Sequence, residues 1–324
     1  MAGYVLKRIV NLIPLLIGIT VISFAVIHLA PGSPTDQMTQ LNPKMSFAAR
    51  EKLEQIYGFD KPLYAQYLRW AGKVARLDFG NSFVDGRPVI DKIFERMPVT
   101  ILINVLSLLV IFIVAIPIGI ESAVRRGSPF DRITTVCVFA LFAAPGFWLA
   151  LLLMSLFGVR LGWLPVSGIV SLDFDYLGFG CRVIDLARHL VLPVLVAAMG
   201  GIAGISRYTR DRMIHVMRED YIRTARAKGL TEKTVIYKHA LRNALLPIIT
   251  ILGLSIPGLI SGSVIFESIF NIPGMGRLMV EAVFTRDYNL IMGGLVMSAL
   301  LTLIGNLLAD VAYSYADPRI RYGE

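Results

Sequence analysis

Charge is scarce in this chain. Only 17% of its 324 residues are Asp, Glu, Lys or Arg, whereas a soluble globular domain carries about 25%. That shortage excludes an ordinary water-soluble fold, whose surface needs the missing polarity. Cysteine is scarcer still. Cys137 lies in an apolar run and Cys181 in a more polar one, which excludes a disulfide framework and offers no thiolate metal site. The four histidines, His28, His189, His215 and His239, show no metal-ligand spacing with carboxylates. No Gly-x-x-x-x-Gly-Lys-[Ser/Thr] segment is present, so the chain has no loop of that type to cradle nucleotide phosphates.

What the chain does have is apolar length. Hydrophobic residues make up 55% of it, and its mean hydropathy is +0.65. A helix crosses the hydrocarbon core with about 20 mostly apolar residues. Six stretches qualify: Ile9–Ala30, Val99–Ile120, Ile133–Phe157, Leu190–Ile205, Ala244–Phe266 and Leu290–Ala309. The fourth is the shortest. The sequence therefore predicts an all-α integral membrane protein with six transmembrane helices. The first stretch follows Lys7-Arg8 but exceeds the roughly 7–15 apolar residues of a signal peptide. His28-Leu29-Ala30-Pro31 is also a poor cleavage site, so the stretch is read as a retained span.

The spans lack charge as well. No Asp, Glu, Lys or Arg sits in the middle of any of the six. Proton-driven transporters place an ionisable relay at membrane depth, so uphill transport through these spans would need energy from elsewhere. No Ser, Asp or His arrangement of an intramembrane protease is evident. Pro14, Pro117, Pro145, Pro193 and Pro257 allow bends that neighbouring helices must re-satisfy. Gly200/Gly204 and Gly258/Gly262 have the spacing of close helix approach. Ser255, Gly258 and Gly262, beside Ser261 and Ser263, make the fifth span the expected lining of a polar path or subunit interface.

The net charge of +9 is distributed unevenly. Arg125, Arg126 and Arg132 share one short loop. Ten Lys or Arg residues lie between Arg207 and Arg242, and Lys7-Arg8 and Arg319/Arg321 flank the ends. With six spans all four segments fall on one side, which the positive-inside rule makes the cytoplasm. Both termini are then cytoplasmic in a multi-pass cell-membrane protein, and a nucleic-acid partner is not needed to explain the charge. Residues 1–30 form the N-terminus and first span, 31–97 an external cap segment, and 98–324 a five-helix core with a cytoplasmic loop over 206–243.

Within the cap, Ser46 is placed to start a helix running to Gly58, and Leu63, Tyr67, Trp70, Val74 and Leu77 repeat at helical spacing. Asp78–Ser82 reads as a turn, and Pro88 as the start of a third short helix with Val89, Ile93 and Phe94 on its apolar face. Residues 158–188 read as a second external loop. Pro273-Gly274 marks a turn before a short helix over Leu278–Ala282.

One polar, basic island interrupts the apolar pattern, from Glu219 to Pro247. Glu219 and Asp220 open a helix at its positive end, and Arg226 and Lys228 close it at the negative end. Gly229 suits the left-handed conformation that stops a helix, and Thr231 then caps a second one. Ile222, Ala225 and Arg226 share one face of the first helix. Val235, Ile236, His239 and Ala240 share one face of the second. Small Ala225 and Ala227 predict close approach of a partner surface. A basic segment drawn to anionic lipid would need the charges but not this order of caps.

This segment resembles the cytoplasmic "EAA" loop of permease subunits of binding-protein-dependent ABC importers. The family pattern is Glu-Ala-Ala, three residues, Gly, nine residues, Ile-x-Leu-Pro. Here Arg223-Thr224-Ala225 stands at the first element, Gly229 at the glycine and His239-Ala240-Leu241-Arg242 at the last. Only Ala225, Gly229 and Leu241 match strictly. The departures, Tyr221–Leu230 and His239–Ala244, resemble the peptide and nickel branch, especially its dipeptide permeases. Pro31-Gly32-Ser33-Pro34, the Asp78–Ser82 turn, Ile269–Arg277 and Asp317–Arg321 are similar to that branch as well.

The resemblance implies a coupling helix seated in a groove of a separate ATP-hydrolysing subunit, with Arg223, Thr224, Ala225, Arg226, Ala227, Lys228, Gly229, Leu230, His239 and Leu241 as coupling residues. It implies a second homologous permease, two cytoplasmic ATPase subunits that hold ATP and Mg, and an external substrate-binding protein. The chain itself would be neither an enzyme nor a cofactor carrier. The implied cargo is a di- or oligopeptide, with nickel, glutathione or an oligosaccharide as alternatives. An ion-gradient-driven secondary transporter is the alternative of a different class.

Overall fold

A computed structural model describes residues 2–29, 61–255, 257–260 and 262–316. The described residues are helical apart from turns and one isolated bridge, Asn81 with Pro88. The helices are α1 (Ala2–Leu29), α2 (Leu63–Val74), α3 (Val89–Val124), α4 (Pro129–Ala143), α5 (Gly146–Leu153), α6 (Phe179–Val216) and α7 (Asp220–Ala227). They continue with α8 (Glu232–Thr234), α9 (Leu241–Ala244), α10 (Leu246–Ser255), α11 (Val264–Ile269), α12 (Met275–Phe284) and α13 (Tyr288–Ala316). The helix expected between Ser46 and Gly58 lies outside the described residues.

Among the described residues, three helices are long and apolar enough to cross a membrane singly: α3, α6 and the Tyr288–Leu307 part of α13. Ile13–Leu29 is a shorter apolar helix. The third expected span is two helices, since α4 and the segment from Gly146 to Arg160 meet at a bend of 104°. Pro145 causes it. The ring excludes the helical region for the residue before it, and Ala144 is accordingly extended, with ψ of 131°. Pro145 then starts α5, which passes into a π-helix over Met154–Arg160.

The fifth expected span is also broken. α10 stops at Ser255, a 3₁₀ turn covers Pro257–Leu259, and α11 starts only at Val264. Proline at 257 has no N–H to continue the ladder, and glycine follows it. The carbonyls freed by such a break need a donor inside the membrane. Asn104 of α3 supplies one, its Nδ2 donating to the Leu259 carbonyl at 2.8 Å.

Two further expectations change in length. Pro88 opens no separate short helix, because α3 runs without interruption from Val89 through Pro98 and Pro117. Val89 and Ile93 are fully buried on it, but Phe94 is exposed. The fourth apolar stretch, shortest by sequence, lies inside the 38-residue α6. Polar flanks hid eleven helical residues on each side of Leu190–Ile205.

The chain divides into two compact units. The first comprises the described residues within 2–98, 260–264 and 274–308. Its interior holds an aromatic group: the Phe24 ring stacks on His28 at 3.8 Å, and Trp70 of α2 and Tyr288 of α13 lie nearby. The expected turn at Asp78–Ser82 forms, with Gly80 at φ +75° and the Gly80 N–H donating to Asp78 Oδ1 at 2.9 Å. Buried Asp287 fastens this turn to the start of α13. It accepts from the Ser82 hydroxyl, from the Phe83 N–H at 3.2 Å and from the Leu290 N–H at 3.3 Å. The last bond makes Asp287 the cap of α13.

The second unit comprises the described residues within 99–259, 265–273 and 309–316. One buried cluster joins Ile103 of α3, Ala150 of α5, four residues of α6 from Leu190 to Val196, and Phe270 and Ile272. A second cluster lies under the polar island. Close helix approach occurs at Gly201, whose Cβ would sit 2.3 Å from Ile111, and at Gly119, 2.5 Å from Thr209. Gly200 and Gly204 have no neighbour within 4 Å of a Cβ position, so the GxxxG spacing does not mark close packing within this chain. Cys137 and Cys181 are free and exposed.

Candidate functional site

The polar island folds as a helix, a glycine turn and a second helical segment. Helix α7 starts at Asp220, with Glu219 extended before it. An acid here lies at the positive end of the helix dipole. The helix ends where Gly229 takes φ +76°. The Leu230 N–H donates to the Ala225 carbonyl at 3.4 Å and the Gly229 N–H to the Arg226 carbonyl at 2.9 Å. Those two bonds are the Schellman arrangement, which satisfies carbonyls that a helix end leaves without partners. Thr231 then caps α8, its hydroxyl accepting from the Thr234 N–H at 3.4 Å. Gly229 and Thr231 act where the sequence placed them, whereas Glu219 makes no side-chain capping bond to α7.

Across the glycine, Arg226 grips Glu232. Arg226 Nη2 donates to Oε1 at 2.6 Å and Nε to Oε2 at 3.1 Å. The hydrogen bond from Arg226 holds the Glu232 carboxyl below its usual range, against opposition from burial, and Glu232 in turn raises the guanidinium. The pair is exposed to solvent, so it adds little stability.

Stability comes from the inner face. Ile222 and Ala225 of α7 pack with Val235, Ile236 and Ala240 onto Ile120 and Ala123 of α3 and Met213 of α6. Ile222, Val235, Ala240 and Met213 are completely buried. Val235–Ala240 is π-helical, an unexpected feature. Burial of Ala225 revises one expectation: its small side chain lets α7 sit close on its own chain and is not open to a partner. Arg223, Thr224, Arg226, Ala227, Lys228, Gly229 and Leu230 are exposed, while His239 and Leu241 are half-buried. The ten expected coupling residues thus separate into an outward basic face and an inward seat.

The expected path residues do not form one helical face. Ser255 donates back to the Ile251 carbonyl of its own helix at 2.8 Å. Gly258 lies in the 3₁₀ turn and is exposed. Gly262 follows the break, and its backbone lies 3.0 Å from where a Gly276 Cβ would be. The broken helix therefore leaves Gly258 and Gly262 without a common ridge.

Several polar residues of the interior escaped the sequence reading. Asn104, the one amide in the second apolar stretch, was the available signal for a bond to a broken helix. Buried Glu267 accepts from the Thr100 hydroxyl at 3.0 Å, one residue beyond the fifth apolar stretch. Asp131 of α4 pairs with Arg210 of α6, 79 positions away. A pair so distant in sequence carries no local signature.

Comparison with known proteins bears on the whole length. Residues 115–322 match the family described as binding-protein-dependent transport system inner membrane component. Residues 1–104 match that family's N-terminal region. The oligopeptide transport system permease protein AppB of Bacillus subtilis is 45% identical over 323 residues, covering 99% of this chain and 100% of the relative. The di/tripeptide transport system permease protein DppB of Pseudomonas aeruginosa is 37% identical, with 99% of each chain covered. The dipeptide transport system permease protein DppB of Escherichia coli K12 is 36% identical at the same coverage. With helices built to span a membrane and both family regions matched in order, this chain belongs to the inner membrane components of binding-protein-dependent transport systems.

Proposed function

We propose that this chain is one permease subunit of an ATP-driven importer of di- and oligopeptides. The observation that carries the proposal is the capped helix pair around Gly229, seated by apolar residues and presenting a basic outer face. Such an element has a fixed shape and modest charge, as docking to a partner protein requires. Two ATPase subunits binding ATP and Mg would grip it on the cytoplasmic side, and their closure would move it with the span ends beneath. That supplies the energy which uncharged span centres cannot. A second homologous permease and an external substrate-binding protein complete the assembly. Six spans with both termini cytoplasmic place all the short basic loops on one side. The peptide cargo is supported by relatives named for oligopeptides and dipeptides that align along nearly the full chain.

Gly229→Trp tests the docking role. Nothing lies within 4 Å of a Cβ at Gly229, so the indole projects outward, and the positive φ costs only about 1–2 kcal/mol locally. The complex should insert and hydrolyse ATP while peptide uptake is lost. Normal uptake by the variant overturns the role. Uptake that ignores vanadate and follows an ion gradient would instead favour a secondary transporter.

A further inference from the structure

We propose that the buried Asp131–Arg210 pair is the link that passes displacement of the coupling loop to the bent α4–α5 segment, making both positioning residues for transport. The inference rests on the coupling reading above.

The geometry is two-pronged. Arg210 Nε donates to Asp131 Oδ1 at 2.6 Å and Nη2 to Oδ2 at 2.8 Å, while the Gly127 N–H donates to Oδ2 at 2.9 Å. The side chains are only 6% and 15% exposed for Asp131 and Arg210. A fork-on-fork ion pair shielded from water is directional, and it fixes the orientation of its two helices as well as their distance. Asp131 stands in the first turn of α4, just after Ser128, whose hydroxyl caps the helix. Arg210 stands in the last two turns of α6, six residues before its end at Val216.

Its place in the chain gives the pair its role. Helix α7 sits on Met213 of α6 and on Ile120 and Ala123 of α3, so a push on α7 reaches these two helices directly. Helix α4 is absent from that buried seat. It packs along α6, and at this end of the bundle its position is fixed by the ion pair and by a Ser122–Thr134 hydroxyl contact at 2.9 Å. Beyond α4 lies the 104° bend, where a small movement at one end of a stiff arm turns the other. The neighbouring charges are Arg207 and Asp211. Asp211 pairs with Arg207 at 3.3 Å and with Arg210 Nη1 at 3.2 Å, outside the fork.

The test uses the full transporter in proteoliposomes and reads ATP hydrolysed per peptide imported, beside the amount of assembled complex. Arg210→Gln should leave assembly intact, cut uptake at least tenfold and raise the ATP-to-peptide ratio at least fivefold. Arg210→Lys, which keeps the charge but not the fork, should raise the ratio two- to threefold. It also serves where the glutamine variant fails to assemble. Uptake that falls only in step with the assembled complex, at an unchanged ratio in both variants, shows a merely structural pair and overturns the proposal. Gly229→Trp in the same vesicles separates the two readings. If it transports normally, the coupling reading fails. If it uncouples while the Arg210 variants keep the parental ratio, the link alone fails.

Discussion

Ile222→Ala isolates the force that holds α7 in place. Helix α7 has eight residues, and helices shorter than about 12–15 residues are marginal in water without tertiary packing. The surface ion pair Arg226–Glu232 contributes at most about 1 kcal/mol. The seat is therefore carried mainly by Ile222, which is fully buried against Ala225, Val235 and Met213. Truncating a buried isoleucine to alanine costs about 2–5 kcal/mol, the spread reflecting how far the cavity collapses. A loss of about 3 kcal/mol raises the local opening constant roughly 100-fold, since each 1.4 kcal/mol is tenfold. Amide hydrogen exchange in Arg223–Leu230 should speed up by that order, while exchange in α3 and α6 stays near parental rates. Arg223→Ala is the matched control. Its side chain is 74% exposed, and a surface change of this kind stays within about 0.5 kcal/mol. If Ile222→Ala leaves exchange over α7 unchanged, the helix is not held by this seat and the reasoning is wrong.

Three other outcomes are expected. Gly276→Ala places a Cβ 2.6 Å from the Val264 backbone nitrogen, so the purified protein should lose several degrees of thermal stability, whereas Gly200→Ala, with open space around it, should not. Asn104→Leu strips the donor from the Leu259 carbonyl, a loss of about 1–3 kcal/mol, and should speed proteolysis near Pro257. The depressed Glu232 carboxyl contributes fully above the unfolded glutamate value of about 4.3, and that contribution disappears as pH falls through the lower folded value. Protection of the Gly229 amide should fall over that window, and Glu232→Gln should abolish the dependence.

Much of the site was legible because its signals are local. An acid at the helix start, a glycine stop and a hydroxyl at the next N-terminus act within five residues, so Glu219, Gly229 and Thr231 announce the helix pair unaided. Long apolar runs disclose spanning helices in the same way, since the bilayer demands their length. Proline gave a warning at 145 and 257, but not the outcome. The same residue is tolerated at 14, 117 and 193, because the surroundings decide whether a chain bends or breaks.

Sequence alone determined an all-helical membrane protein and the capped turn around Gly229. Each follows from composition or from bonds between near neighbours. Tertiary structure alone decided which side of α7 is buried, that Asn104 serves a broken helix, that Asp287 fastens the Ser82 turn and that Asp131 meets Arg210. Those are bonds between residues tens to hundreds of positions apart. They exist only because folding brings the helices together, in an interior where an unpaired polar group costs too much to persist.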